Sequence, residues 1–464
     1  MASELIKAVR RLGNLERAWS VIQSNGRTSK SKKVRSELAT FSEDAPSRLR
    51  SIKGKLSQNS FTFEPAEGIP LPKKDAQGRE TGAFRPIVLA RVESRIVQRA
   101  ILNVLLEVPE LQPYIKTPYS FGGIRGERRS QEDLQERSES LSAVPAAIRA
   151  VLDEISSGAR FVACADIRSF FTRISKDAVT NIISVTTKDE EFTRLFRRAI
   201  DVELSNMAQL RERASAFPIE DIGVAQGNSL SPLLGNIILA EFDKKMNEGD
   251  CRCIRYIDDF IILAPSKKAA GARLRKATEL LAALGMELSP EKSSKGGIPI
   301  DDGIDFLGIN ICRGAIRPNI KAQGRILLSV QTVLNDSLKA MRGLQNGKPF
   351  DMAYSLSSTL KKIDDMIDGW GKHYWFCNDR QIFENLDNKI NEFIRRYLGE
   401  YTAIRSASQR SKFQIFLGIT ELRNIKREPF SYPKLSKSTR IASPTPHTDL
   451  LSGTSLTSDS VTVP

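Results

Sequence analysis

Apolar positions recur at helical spacing over residues 3–22, where Leu5, Ile6, Val9, Leu12, Leu15 and Trp19 share a face, and this predicts an amphipathic helix. The same period returns over 93–106, with Ile96, Val97, Ala100, Ile101 and Val104, and again over 144–155. Residues 267–284 repeat it and stop at Gly285, a suitable helix C-cap. Residues 61–86 instead alternate short β-type pieces with Pro and Gly, and 118–126 is a loop holding Gly122, Gly123 and Gly126. The run FVACADIRSFF predicts a strand with an acid near its end, and 175–213 is mixed helical. GVAQGNSLSPLLGNIILAEFDKKM predicts a turn entering a helix, with Pro232 in the first turn, where proline is tolerated. One short strand is expected over 305–311. Residues 326–401 are mostly helical, Ile363, Met366, Ile367, Trp370 and Tyr374 keeping one face. The end of the chain is dominated by Ser and Thr and is expected to be disordered.

One apolar run breaks this pattern. CIRYIDDFIILAP sets Asp258 and Asp259 side by side between two β-type runs. Buried carboxylates without partners are costly. A plain wet turn is one explanation, because Asp is a common turn residue. A metal site is the other. A hairpin tip, with Ile257, Asp258 and Asp259 between the runs, presents consecutive acids that strand alternation would otherwise separate. Two divalent ions about 4 Å apart need several carboxylates on rigid elements. Asp166, in VACADIRSFF, is the candidate third ligand from a neighbouring strand.

Composition narrows the partner. Of 464 residues, 40% are hydrophobic, and 70 Lys and Arg against 55 Asp and Glu give +15. The excess suits nucleic acid or a merely solvated basic surface. The stretch Arg27, Lys30, Lys32, Lys33, Arg35 reads either as a linker or as an arm on phosphates. The five cysteines have no zinc-ligand spacing and suit a reducing compartment. The charged amino terminus lacks a signal-peptide core, and no apolar run is long enough to cross a membrane, so a cytoplasmic protein with no membrane partner is expected.

Several motifs in order now identify a resemblance. FRPIVLARVESRIVQRAI, SFGGIRGERRS, CADIRSFF, GVAQGNSLSPLLGNIIL, RYIDDF, LSPEKS and DFLGINI follow one another as in reverse transcriptases of the bacterial group II intron type. The resemblance covers about 61–398. GWGKHYWFCNDRQIFENLDNKINEFIRRYL is similar to that family's thumb. It implies an α+β right-hand polymerase fold, with fingers and an antiparallel palm sheet packed on helices, then a helical thumb. The implied units are 1–60 (helical extension and basic linker), 61–155 (fingers), 156–312 (palm), 313–430 (thumb) and 431–464 (disordered tail). Part of 172–222 is available to pack with the fingers.

The resemblance also assigns roles. Asp166, Asp258 and Asp259 hold two Mg²⁺ ions, with Mn²⁺ as a substitute. Phe171 selects deoxynucleotides by clashing with a 2′-hydroxyl, while Phe170 belongs to the core. Gln226 and Gly227 meet the incoming nucleotide, Arg85 and Lys73 grip its triphosphate, and Lys292 assists pyrophosphate. Tyr256 packs beneath the primer end, and Arg395 and Arg396 track template phosphates. Trp370, Tyr374 and Trp375 are expected in the core. Thr172 departs from the acid that often follows the paired phenylalanines. Neither a His- and Cys-rich endonuclease domain, nor an integrase fusion, nor retron signatures are visible, so the resemblance narrows to stand-alone, defence-associated enzymes. The expected partners are a non-coding RNA template, deoxynucleoside triphosphates and nascent cDNA; a homo-oligomer is left open. An intron maturase, and protein-primed or untemplated synthesis, are the alternatives.

Overall fold

The computed structural model describes residues 4–29, 31–75, 78–115, 117–123, 143–409, 412–422 and 425–431. Four helices open the chain: α1 (Glu4–Val9), α2 (Leu12–Arg27), α3 (Lys32–Ser42) and α4 (Ala45–Ser57). Helices α1, α2 and α3 pack on α5 (Val92–Leu105), and α4 packs on α2 and α3; α9 (Glu190–Ile200) also packs on α5, which is buried on nearly every side. Trp19 meets Phe41 at 4.5 Å between ring centroids in this first core.

Two expectations change here. The single helix over 3–22 is two, broken at Arg10 and Arg11. Asn14 explains the break: its side-chain amide donates to the carbonyls of Ala8 (3.3 Å), Val9 (3.3 Å) and Ala100 (3.0 Å), satisfying the exposed end of α1. The basic stretch from Arg27 to Arg35 is not an extended linker. Ser31 caps α3, and Val34, Leu38 and Phe41 bury its inner face.

The hairpin β1 (Glu67–Lys74) and β2 (Glu80–Leu89) follows, its register slipping between Pro72 and Lys74. Next come α6 (Gln112–Ile115), β3 (Ser120–Phe121), α7 (Ala143–Ser156) and β4 (Phe161–Asp166). Helices α8 (Lys176–Thr187), α9 (Glu190–Ile200), α10 (Met207–Leu210) and α11 (Ser231–Met246) lead to β5 (Arg252–Tyr256), β6 (Asp259–Ala264), α12 (Lys267–Ala283) and β7 (Ile298–Pro299).

The palm sheet has the order β3-β5-β6-β4-β7, antiparallel except for β3 on β5. Phe260 and Ile262 face α11 and α12, while Ile261 and Leu263 face α7. Burial on both faces explains the unbroken apolar run FIILA. The strand expected over 305–311 is a hairpin, β8 (Ile304–Phe306) and β9 (Ile309–Cys312), joined to β10 (Ala315–Pro318). Leu307 (φ +53°) and Gly308 (φ +82°) form its two-residue turn, the left-handed pair that suits a tight hairpin.

Three long helices close the fold: α13 (Ile320–Gln345), α14 (Leu356–His373) and α15 (Arg380–Ser406), with the short α16 (Phe413–Leu417). Ile326, Val330, Leu334, Ile363, Leu386 and Tyr397 fill their core. Ser337 donates to the Tyr354 carbonyl (2.7 Å) and lies 3.0 Å from the Tyr397 hydroxyl, pinning the bundle. Tyr374 is buried and Trp370 half-buried, but Trp375 is 60% exposed, not core. Helix α14 stops at His373, so Trp375 falls outside its apolar period. No described helix is long and apolar enough to cross a membrane. The expected tail lies outside the described residues apart from Ser431.

Candidate active site

Strand pairing brings the three acids together. Asp166, the last residue of β4, pairs with Asp259, the first of β6. Paired residues point to the same face, so both carboxylates lie on the side of Cys164 and Ile261. The hairpin loop is shorter than expected: only Ile257 and Asp258 lie outside the ladder, and Asp259 is on the strand. Ile257 has φ +62°, an unusual angle for a β-branched residue. The Ile167 amide donates to the Asp258 carbonyl (2.9 Å), tying the turn to the end of β4.

The outer edge of β4 is held by LSPEKSS. Ser289 donates its amide to the Asp166 carbonyl (2.8 Å), and the Asp166 amide donates to Ser293 Oγ (3.3 Å). Ser294 makes the equivalent exchange with Cys164, at 2.8 and 3.0 Å. Lys292, on the same loop, donates from Nζ to both Asp166 oxygens, at 2.9 and 3.0 Å. Its side chain is 61% exposed, so the pair is worth little to stability.

Charge accumulates at this point. Burial pushes the Asp259 carboxyl up to about 7, and the Asp166 and Asp258 charges push the same way, against Lys292. Burial and Asp166 likewise raise Asp258, opposed by Lys292 and Arg85. Asp258 and Asp259 are half-buried. As the side chains stand, no three Asp, Glu, His or Cys groups among the described residues are arranged to hold a metal ion. The Asp166 oxygens are turned onto Lys292. The donor set nevertheless fits a hard divalent cation, because clustered oxygen ligands of like charge are what such an ion neutralises.

The nucleotide-side candidates lie on the β1–β2 hairpin, on the loop docked against it and in the turn after β4. The Val88 amide donates to the Gln226 carbonyl (3.0 Å), and Ile87 bridges Gln226, so this loop is docked on β2. Gly227 has φ +119°, and a Cβ there would meet the Val88 oxygen at 2.9 Å, so the close approach needs glycine. The Val224 amide donates to the Phe171 carbonyl (2.7 Å), setting Phe171 beside the same loop. Phe170 and Phe171 lie in a 3₁₀ turn (Phe170–Arg173), not on a strand; Phe170 is buried and Phe171 half-buried. Arg85 is exposed on β2 and acts electrostatically on Asp258. Lys73 lies, exposed, in the β1 bulge. Tyr256 lies against Gly122, where a Cβ would meet its ring at 2.8 Å. The rest of SFGGIRGERRS, from 124 on, lies outside the described residues. Arg395 and Arg396 are exposed on α15, and Arg396 lines a cleft of about 170 Å³ with Gln331 and Glu400.

Sequence reading passed over one charged group at this hairpin. Arg255 is fully buried directly beneath the turn, paired with Asp243 of α11. A charged residue at the centre of the apolar run CIRYI was the available signal.

Among known proteins, Protein YkfC of Escherichia coli (strain K12) is 24% identical over 305 residues, covering 57% of this chain and 71% of that protein. An uncharacterized 91 kDa protein in a cob intron of Schizosaccharomyces pombe is 26% identical over 189 residues, covering 41% of this chain and 20% of that one. Among solved structures, a chain of a partial Cas6-RT-Cas1–Cas2 complex is 19% identical, with TM-score 0.32, over 61% of this chain and 43% of that chain. Apo telomerase from Candida tropicalis, truncated from the C-terminal domain, is 16% identical, with TM-score 0.37, over 55% of each chain. Likeness at these scores says nothing about side chains. The family model for reverse transcriptases (RNA-dependent DNA polymerases) matches residues 71–311, from the fingers hairpin through β9 and so across all three aspartates, and the chain belongs to that family.

Proposed function

We propose that this protein synthesises DNA on an RNA template at Asp166, Asp258 and Asp259. The observation behind the reading is the pairing of Asp166 with Asp259 beside the Asp258 turn, within the matched residues. Family members generally use divalent metal ions, and here the three carboxylates are the proposed ligands of two Mg²⁺. When bound, the ions supply activation of the primer hydroxyl and neutralisation of charge on pyrophosphate. The chain's own residues do the positioning. Gln226 and Gly227 hold the incoming nucleotide against the fingers, and Phe171 closes the space beside its 2′ position. Arg85 and Lys73 bind triphosphate oxygens, Arg by its planar fork and Lys as a point charge. Lys292 leaves Asp166 and follows the departing pyrophosphate. Tyr256 supports the primer end, and Arg395 and Arg396 line the template path.

Primer extension on an RNA template with deoxynucleoside triphosphates and Mg²⁺ tests this reading. Wild-type protein extends the primer, and Asp258→Ala/Asp259→Ala does not; extension by the double variant removes the site assignment.

The template we propose is an associated non-coding RNA, copied in bacterial defence against phage. That finer reading comes from the resemblance to stand-alone, defence-associated enzymes. The likeness to a protein in a cob intron favours a second reading, an intron maturase. Sequencing the RNA that copurifies separates them: intron domains support the maturase, and a short structured RNA supports defence.

A further inference from the structure

A buried arginine behind the turn that carries Asp258 needs a reason. Arg255 is wholly buried, and its planar head uses all five of its N–H groups. Nε donates to Asp243 Oδ1 (2.7 Å), and one Nη2 hydrogen goes to Asp243 Oδ2. The other Nη2 hydrogen reaches Asn236 Oδ1 (3.3 Å). Nη1 donates to the carbonyl of Ile257 (2.9 Å) and to Asn236 Oδ1 (3.4 Å). Asp243 and Asn236 are themselves buried, both on α11. Neutralising Asp243 therefore takes only one edge of the guanidinium. The remaining edge is spent on the carbonyl of the residue whose backbone is left-handed at φ +62°.

That carbonyl belongs to the peptide joining Ile257 to Asp258. Holding it fixes the direction in which Asp258 leaves the turn. A β-branched side chain disfavours this backbone, and such conformations persist when surrounding contacts over-determine them. Two other contacts share the work: the Ile167 amide on the Asp258 carbonyl, and Gly123, beside which the Ile257 side chain lies.

We propose that Arg255 is a positioning residue: anchored by Asp243 and Asn236, it holds the Ile257–Asp258 turn in the form that presents Asp258 and Asp259 to divalent cations. The inference rests on the cation reading of those acids. Lysine cannot replace it, because an ammonium is a point charge with three donors and cannot serve Asp243 and the turn at once.

Binding of Mn²⁺ alone to the full chain, followed by calorimetry, tests this without polymerisation. Arg255→Lys keeps the charge and loses the second edge. Arg255→Met with Asp243→Leu removes the pair without leaving a buried charge, an exchange that stability tolerates. Both are expected to weaken Mn²⁺ binding by roughly 10- to 100-fold, the usual effect of losing an outer-shell partner. Asn236→Ala, which strands no charge, shifts the midpoint the same way by less. Irreversibly misfolded protein lowers the amplitude of binding and leaves its midpoint, whereas reversible unfolding weakens binding only in proportion to the unfolded fraction, which urea unfolding of each variant measures. Unmoved midpoints in these variants overturn the inference while the cation reading stands. Wild-type binding that Asp258→Asn/Asp259→Asn does not reduce removes the cation reading and this inference together.

Discussion

Replacing Asp259 with Asn should stabilise the cation-free protein while removing its activity. Burial and two neighbouring carboxylates lift the Asp259 carboxyl from the ordinary 3.8 to about 7. A carboxyl raised in this way binds its proton more tightly when folded than when unfolded. The charged form therefore costs stability, and the cost grows as pH rises from about 4 and is complete above about 7. Three pH units at ~1.4 kcal/mol each set the full cost at about 4 kcal/mol. Asn cannot ionise and avoids it. Urea unfolding in EDTA at several pH values is the assay. Above pH 7 the variant should exceed wild type by a few kcal/mol, and the gap should shrink as the pH falls toward 5. Adding Mg²⁺ should reverse the order, because a ligand that binds only the folded state stabilises it. A variant no more stable than wild type at pH 8 in EDTA refutes the reasoning, and so does a gap that widens on acidification.

Gly227→Ala forces a Cβ against the Val88 carbonyl at 2.9 Å with φ +119°. It should cost ~1–3 kcal/mol in the docked loop and raise KM for deoxynucleotides, measured by single-nucleotide extension. Phe171→Ala should raise the ratio of ribonucleotide to deoxynucleotide kcat/KM; an unchanged ratio removes Phe171 from sugar selection. Affinity for RNA should fall steeply between low and physiological salt, because a chain of net charge +15 releases counterions on binding. A flat salt dependence argues against phosphate-driven binding.

The elements that sequence made legible are those whose local pattern and tertiary role agree. Helices α5, α7 and α12 fall within a residue or two of their apolar periods. The Asp166–Asp259 neighbourhood followed from a strand ending in an acid and a hairpin starting with one. What the sequence hid depends on distant partners. The break between α1 and α2 is made by Asn14 reaching Ala100 across the core. The 3₁₀ turn at Phe170 and Phe171 depends on a left-handed Ser169 (φ +52°), which no propensity signals. The role of Arg255 was hidden because its partners Asn236 and Asp243 lie on α11, 19 and 12 residues earlier. The grip of Lys292 on Asp166 was hidden because the two are 126 residues apart in the chain.

A structure of the protein with an RNA–DNA duplex, an incoming nucleotide and Mn²⁺, with the ions located by anomalous scattering, tests the central claim most directly. The account predicts two Mn²⁺ peaks between Asp166 and the Asp258–Asp259 pair, with Lys292 released from Asp166. Ions bound elsewhere on a correctly seated duplex, with Asp166 still held by Lys292, contradict it.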